Sequence, residues 1–393
     1  MKVRLGEIGK VITGNTPNTS DERNYSSNDI CFVKPSDITD KEVTKLVSSE
    51  FYISEYAREK ARILPPKSVL VTCIGIIGKV AINDVECAFN QQINAIIPYQ
   101  DKCLPEYLAY SIQQKQPEMQ DIANAPVVPI LNKTQFSNIE IEVPCLQEQQ
   151  IIIDKLDAIC NLVALRKQQL AKLDELVKSR FVEMFGDPIA NPKNYLVKSL
   201  QELIDMGYIT YHLDGNHGGD YPRSEEFIES GVPYIGANSI ANGKIDFTMA
   251  KYLTAERAGK LRKGIAQNED VLFAHNATVG PTVVLHTSEP KVILSTSLTA
   301  YRCNKSQILP NYLREYMLSD GFVCQYSSEM KQTTRNQVPI TAQKKYLFMV
   351  PPFAEQEQFA AFVEQTEKSK LTIQQSLDKL ETLKKALMQE YFG

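Results

Sequence analysis

The sequence predicts an α+β protein: two mixed α/β globular domains separated by two long antiparallel coiled-coil helices, related by a pseudo-twofold internal repeat. Three observations predict it. Gln168 to Gly186 (QQLAKLDELVKSRFVEMFG) aligns without gaps on Gln375 to Gly393 (QSLDKLETLKKALMQEYFG), with 9 of 19 positions identical at an offset of 207. Collinear matches continue upstream. Leu104-Pro105-Glu106-Tyr107-Leu108 matches Leu309-Pro310-Asn311-Tyr312-Leu313 at 205, and Val69-Leu70 with Gly78 matches Val271-Leu272 with Gly280 at 202. The slow drift in offset is that of loops gaining or losing residues between two copies of one unit. Within each copy, short β-rich runs separated by turn residues give way to a long stretch of helical period.

The elements follow in order. Residues 1–146 form the first domain, with strand runs CFVKP (31–35) and SVLVTCIG (68–75) bounded by Gly, Pro, Asn and Asp turns. Residues 147–185 form the first spacer helix. Leu156, Ile159, Val163, Leu170, Leu173, Val177 and Met184 recur at alternating three- and four-residue steps, interrupted only by Arg166 and Arg180. At ~1.5 Å per residue this helix would be ~58 Å long. Gly186-Asp187-Pro188 and Asn191-Pro192 then stop it. Residues 186–352 are the linker and second domain, with strand runs VPYIGA (232–237) and DVLFAH (270–275). Residues 353–393 are the second spacer helix. Its seam is Val363, Ile373, Leu377, Leu380, Leu387 and Tyr391, interrupted by Thr366, Lys370 and Lys384. A heptad seam buries nothing unless another helix covers it, so two equivalent seams in one chain predict mutual pairing.

Composition bounds the function classes. With 43 Lys+Arg against 47 Asp+Glu the net charge is −4, and no segment is a polycation; this excludes a non-specific nucleic-acid packer but not a local basic face. The eight cysteines show no CxxC pair and read as scattered thiols in a reducing compartment. The start, MKVRLGEIGK, lacks the apolar core of a signal peptide, and the most apolar stretch, Val69 to Ile82, is broken by Thr72, two glycines and Lys79. A cytoplasmic protein without membrane contact is the expectation.

A globular unit, a long helix with Glu-Gln near its start, then both again, resembles the specificity subunit of type I restriction–modification systems. The residues carrying the resemblance are Val143-Pro144 before Glu148-Gln149, Val350-Pro351-Pro352 before Glu355-Gln356, and Phe181 to Pro188 (FVEMFGDP). In the second copy Asp214 to Gly218 (DGNHG), Phe227, Gly231 to Ile235 (GVPYI), Gly264 and Asp270-Val271-Leu272 are similar to one subtype of target recognition domain. The resemblance covers essentially the whole chain. It implies that each globular unit reads one half of a bipartite double-stranded DNA site. The helices would fix the gap and dock methyltransferase (modification) subunits, with restriction/translocase subunits completing the complex. S-adenosylmethionine, ATP and magnesium belong, on this resemblance, to those partner subunits.

The chain's own residues point away from catalysis. Val350-Pro351-Pro352-Phe353 lacks the leading Asp or Asn with which an amino-methyltransferase loop holds its base. Gly75 to Val80 (GIIGKV) is too short for a phosphate loop and lacks its Ser/Thr. Asp320 with Glu329 and Lys331 has only loose nuclease spacing. His212 and His217 flank Asp214 with no Cys nearby, which disfavours zinc.

Phosphate contacts need Lys or Arg, and base readout needs polar side chains on exposed loops. Arg58, Lys60 and Arg62 recur against Arg257, Lys260, Arg262 and Lys263, with Lys60/Lys260 and Arg62/Arg262 at an offset of 200. A solvated helix face accounts for them equally well; recurrence favours a phosphate clamp. Readout belongs where the copies diverge. Candidates in the first are Lys34, Ser36, Asp37, Gln91 and Gln92. In the second they are Asn216, His217, Arg223, Asn238, Ser239, His275, Asn276, Thr296, Lys331, Arg335 and Asn336. Each also suits turn-building. The loop Asp214 to Arg223 has no convincing counterpart in the first copy, where Gly14 to Asn18 sits instead. The competing class is a coiled-coil scaffold whose globular ends bind proteins or ligands.

Overall fold

The structure, a computed structural model, describes residues 2–40, 42–123, 128–330 and 336–393, with backbone alone at 219, 328 and 329. It divides into two compact units, Met1–Lys167 with Gln375–Gly393, and Gln168–Gln374. Each unit therefore combines one globular domain with the start of one long helix and the end of the other, whereas a linear division assigns each helix whole.

The first unit carries a five-stranded sheet, in spatial order Gly9–Thr13, Ile93–Pro98, Val69–Thr72, Val80–Asn83 and Thr44–Leu46. Beside it lies a four-stranded sheet of Tyr52–Ile53, Ile30–Val33, Cys87–Phe89 and Ile63–Leu64. The second unit repeats the plan. Ile209–Asp214, Leu298–Cys303, Val271–Asn276 and Thr278–Val284 form one sheet; Phe227–Ile228, Lys251–Leu253, Val232–Ile235, Val292–Leu294 and Ile265–Ala266 form the other. In each unit a short antiparallel ribbon joins the domain's first strand to its last, Lys2–Arg4 with Glu140–Glu142 and Leu196–Ser199 with Leu347–Val350. Val69–Thr72 and Val80–Asn83 are buried at every position, the pattern expected of β-branched runs covered on both faces.

A helix then packs over the longer-stranded sheet of each unit, Pro105–Gln114 and Pro310–Leu318, each with Pro in its first turn, where a missing N–H costs nothing. Tyr107 and Tyr312 are buried at equivalent places in these helices. Their hydroxyls donate to the carbonyls of Glu142 (2.9 Å) and Met349 (2.6 Å), tying helix to ribbon in both units.

The long helices are Leu146–Phe185 and Phe353–Phe392, 40 residues each and so about 60 Å. Within each unit they run antiparallel. In the first unit Lys155 meets the Tyr391 hydroxyl at 3.1 Å while Lys167 meets Glu381 at 3.3 Å. In the second, Asp174 meets Lys370 at 2.5 Å and the rings of Phe181 and Phe359 lie 5.6 Å apart. Leu156, Ile159, Val163, Val177 and Leu377 of the seam are buried; Leu170, Leu173, Ile373, Leu380 and Leu387 are half-buried. Lys370 interrupts the seam but is held there by Asp174 and Glu367 (2.8 Å), so its charge is paired where it is covered. The helix ends repeat as well. Phe392 packs on Tyr107 in the first unit (5.2 Å) and Phe185 on Tyr312 in the second (4.9 Å).

Candidate nucleic-acid interface

In both units the sheet built of the shorter strands holds one parallel pair, Ile30–Val33 with Cys87–Phe89 and Val232–Ile235 with Val292–Leu294. Parallel strands leave their carboxyl ends side by side, so the turns that follow them are neighbours. The Asn90 N–H donates to the Val33 carbonyl at 3.1 Å, and the Ser295 N–H to that of Ile235 at 2.7 Å. Lys34–Asp37 and Asn90–Gln92 therefore meet in the first unit, as do Gly236–Ser239 and Ser295–Ser297 in the second.

A third loop lies across each junction. A Cβ added to Gly14 would sit 2.1 Å from the Asn90 carbonyl oxygen, and one on Gly215 would sit 2.3 Å from the Ser295 carbonyl carbon, so only glycine fits. The next residue clamps the basic segment. The Asn15 amide donates to the Lys60 carbonyl and accepts from the Arg62 N–H, both at 2.8 Å. The Asn216 amide donates to the Lys263 carbonyl (2.7 Å) and accepts from the Lys263 N–H (3.3 Å). Gly215-Asn216 thus has a counterpart in Gly14-Asn15. The clue was present in the sequence as a Gly-Asn dipeptide at an offset of 201.

A hairpin completes the rim. The Cys73 N–H donates to the Gln92 carbonyl (2.8 Å), and the His275 N–H to that of Ser297 (3.0 Å). Segments far apart in the chain so converge on one edge of each unit.

The basic candidates separate into two groups. Arg58 is held by Glu55 (2.5 Å) and Glu86 (2.8 Å), which push its guanidinium pKa up. Lys60 reaches Asp21 (3.1 Å) and the Asn24 amide (3.0 Å) and lies over the Tyr56 ring at 3.8 Å. Arg257 pairs with Glu226 (2.5 Å) and Lys260 with Glu256 (2.7 Å). Arg62, Arg262 and Lys263 are exposed and form no ion pair among the described residues; the Arg62 guanidinium caps the Thr13 carbonyl. The equivalence at an offset of 200 also shifts. Ile63 pairs with Ala88 as Ile265 pairs with Ile293, an offset of 202, so Arg62 and Arg262 stand two residues apart in register.

The readout candidates separate likewise. Ser36, Gln91, His217, Arg223, Asn238 and Asn336 are exposed, and Gln92, Asn276 and Thr296 half-buried. Gln91 accepts from the Thr16 hydroxyl at 2.7 Å, and the His217 Nε2 lies 2.7 Å from the Asp214 carboxylate. Lys34 lies over the Phe51 ring at 3.1 Å. Asp37 is spent on structure, accepting from the Lys34 and Glu50 N–H groups (2.8 and 3.0 Å) and the Ser49 hydroxyl (3.1 Å). Asn216, Ser239 and His275 are buried, so their side chains support the rim from behind. Lys331 and Arg335 lie outside the described residues.

Behind each rim lie buried polar side chains: in the first unit Asn94 accepts from the Thr13 hydroxyl (2.7 Å) and donates to the Leu131 carbonyl (3.0 Å), and in the second the cluster is larger. His212 Nε2 donates to the Gln343 amide oxygen (3.1 Å), which also accepts from the Tyr301 hydroxyl (2.6 Å). Burial lowers the His212 pKa to about 4 and depresses that of His275, whose Nδ1 donates to the Val338 carbonyl (3.0 Å). Among the described residues no group of His, Cys, Asp or Glu is arranged to hold a metal ion, and no helix is long and apolar enough to cross a membrane.

Known proteins share this architecture. Relatives include the MjaIX specificity subunit of Methanocaldococcus jannaschii, 28% identical over 61% of this chain and 58% of that one. The HindI specificity subunit of Haemophilus influenzae is 28% identical over 45% and 40%, and the EcoR124I/EcoR124II specificity subunit of Escherichia coli 31% over 40% and 41%. The matched stretches thus span roughly two-fifths to three-fifths of those relatives. Among solved structures, the S subunit of a type I restriction–modification system from M. genitalium superposes with a TM-score of 0.59 at 14% identity, covering 100% of this chain and 96% of that one. A chain from a structure addressing complex assembly and conformational transition of the type I R-M system gives 0.58 at 20%, covering 100% and 97%. Both likenesses concern the fold. The family model described as the type I restriction modification DNA specificity domain matches residues 1–175 and again 192–384. The chain belongs to that family and carries its domain twice.

Proposed function

We propose that this chain is the DNA-recognition subunit of a type I restriction–modification complex, each unit reading one half of a bipartite double-stranded site. The observation that carries this reading is the twice-built rim: the same loops, on the same parallel pair, with the same glycine and asparagine, but different exposed side chains. A conserved backbone with divergent side chains is what two half-sites of different sequence require. Arg62, Arg262 and Lys263 supply phosphate contacts, and Gln91, His217, Asn238 and Thr296 face base edges.

The chain acts by positioning and contributes no chemistry of its own. Methyl transfer from S-adenosylmethionine, and ATP- and magnesium-dependent cleavage, fall to modification and restriction/translocase subunits. The paired helices dock the modification subunits and set the unspecified gap between half-sites.

The test is co-expression with a methyltransferase chain, followed by binding to random duplex DNA at increasing salt. Co-purification with steeply salt-dependent binding is expected. A complex that ignores DNA at low salt would instead identify a scaffold for proteins or ligands.

A further inference from the structure

One pair of positions on the rim keeps its backbone geometry in both units and reverses its chemistry. Ile74 bridges Ile130 in the first unit as Asn276 bridges Gln337 in the second. The flanking bonds repeat too. The N–H groups of Leu131 and Val338 donate to the Cys73 and His275 carbonyls (2.9 and 2.8 Å), and those of Gly75 and Ala277 to the Pro129 and Asn336 carbonyls (3.3 and 3.0 Å). Gly75 and Ala277 share a left-handed φ of 78° and 66°, although alanine adopts it at a cost.

On this shared frame the first unit exposes Ile76 (58%), Ile130 (51%) and Val128 (45%) beside half-buried Ile74. The second presents Thr278 with Asn276, Asn336 and Gln337, and the side-chain amides of these last three have no hydrogen bond among the described residues. The backbone at Cys73 is bonded to the Gln91–Gln92 turn, so the isoleucines continue the surface that holds Arg62 and the Thr16–Gln91 pair. A surface for a partner common to both units would recur in both; only a surface that reads two different sequences needs to diverge.

Resting on the proposed function, we infer that the two units read their half-sites by opposite chemistry at this position. Ile74, Ile76 and Ile130 contact thymine C5-methyl groups, the one apolar feature of the major groove. Asn276 and Gln337 hydrogen-bond adenine at N6 and N7.

The experiment uses the full chain with its modification subunits and a duplex bearing the site that the complex methylates. Thymines are replaced by 2′-deoxyuridine, which lacks only the methyl, one half-site at a time; adenines are replaced separately by 7-deazaadenine. Uracil should weaken binding about fourfold per contacted methyl, in one half-site only. 7-Deazaadenine should weaken it about tenfold in the other. Joint Ile74→Asn and Ile130→Gln replacement should alter the uracil-sensitive half of the methylated motif alone. Unchanged affinity for uracil duplexes in both halves overturns the inference while leaving DNA recognition intact, and so does a first half-site without thymine. Failure of the isoleucine variant to assemble, with uracil tolerated by the unaltered complex, marks the patch as a protein interface and also overturns it. A complex that binds no DNA overturns this inference together with the function it rests on.

Discussion

Gln149 accepts a hydrogen bond from the backbone N–H of Leu104 at 2.8 Å, and Gln356 repeats the bond with Leu309 at 3.0 Å. Both amides are fully buried. Each also donates twice, Gln149 to the Pro144 and Lys102 carbonyls (2.9 and 3.0 Å) and Gln356 to those of Pro351 and Gln307 (3.0 and 3.2 Å). The glutamine of each Glu-Gln pair is thus a three-way tie between long helix, helix-capping loop and strand exit. Glutamate could not make it, because two of the three partners are carbonyls.

Gln356→Leu should leave a backbone N–H and two carbonyls unsatisfied, at about 1–3 kcal/mol for each group that water cannot reach. Calorimetry should show a lower melting temperature, and Gln356→Glu should be at least as damaging. An unchanged melting curve for both variants would mean that the tie does not hold the fold.

Arg262→Ala combined with Lys263→Ala should weaken DNA binding by the complex on every sequence. The slope of log K against log salt should flatten by about 1.8, at roughly 0.9 per phosphate contact. Arg257→Ala should leave that slope alone, since its guanidinium serves Glu226. Fluorescence anisotropy across a salt series separates the two; equal slopes in all variants would move the phosphate contacts elsewhere.

Acid should loosen the second unit. With the His212 pKa near 4 in the folded chain and 6.5 when exposed, the unfolded chain takes up the extra proton between those values. Stability is full above about pH 6.5 and lost as pH falls toward 4, by roughly 3 kcal/mol at most. Glu315, pushed up by burial, works the other way, because its protonated form suits the fold. Denaturant titrations of His212→Phe beside the unaltered chain isolate the histidine. The variant should lose much of the acid slope, and parallel slopes would count against it.

Much of this architecture was legible because it is written twice. The drifting offset located the paired domains, and the heptad steps located both helices. The convergence of the rim was not legible, because the carboxyl ends of a parallel pair bring together residues dozens of positions apart. Nor were the tied cations. Asp21, Glu86 and Glu226 lie 39, 28 and 31 residues from Lys60, Arg58 and Arg257, and nothing local announces them. His275 and Asn216 read as base-readout candidates, yet burial turns the first into a support and the second into a clamp. Asn15, Ile74, Ile130 and Gln337 went unnoticed because each means something only beside its counterpart in the other unit.

The central claim is that one chain reads two half-sites with two separate rims. Sequencing of methylated DNA from a host carrying the complete complex tests it most directly, with the unaltered chain beside Gln91→Ala and Thr296→Ala. The account predicts two short half-sites around a gap of fixed length, with each substitution relaxing a different half. A single uninterrupted motif, or one substitution that changes both halves, would contradict it.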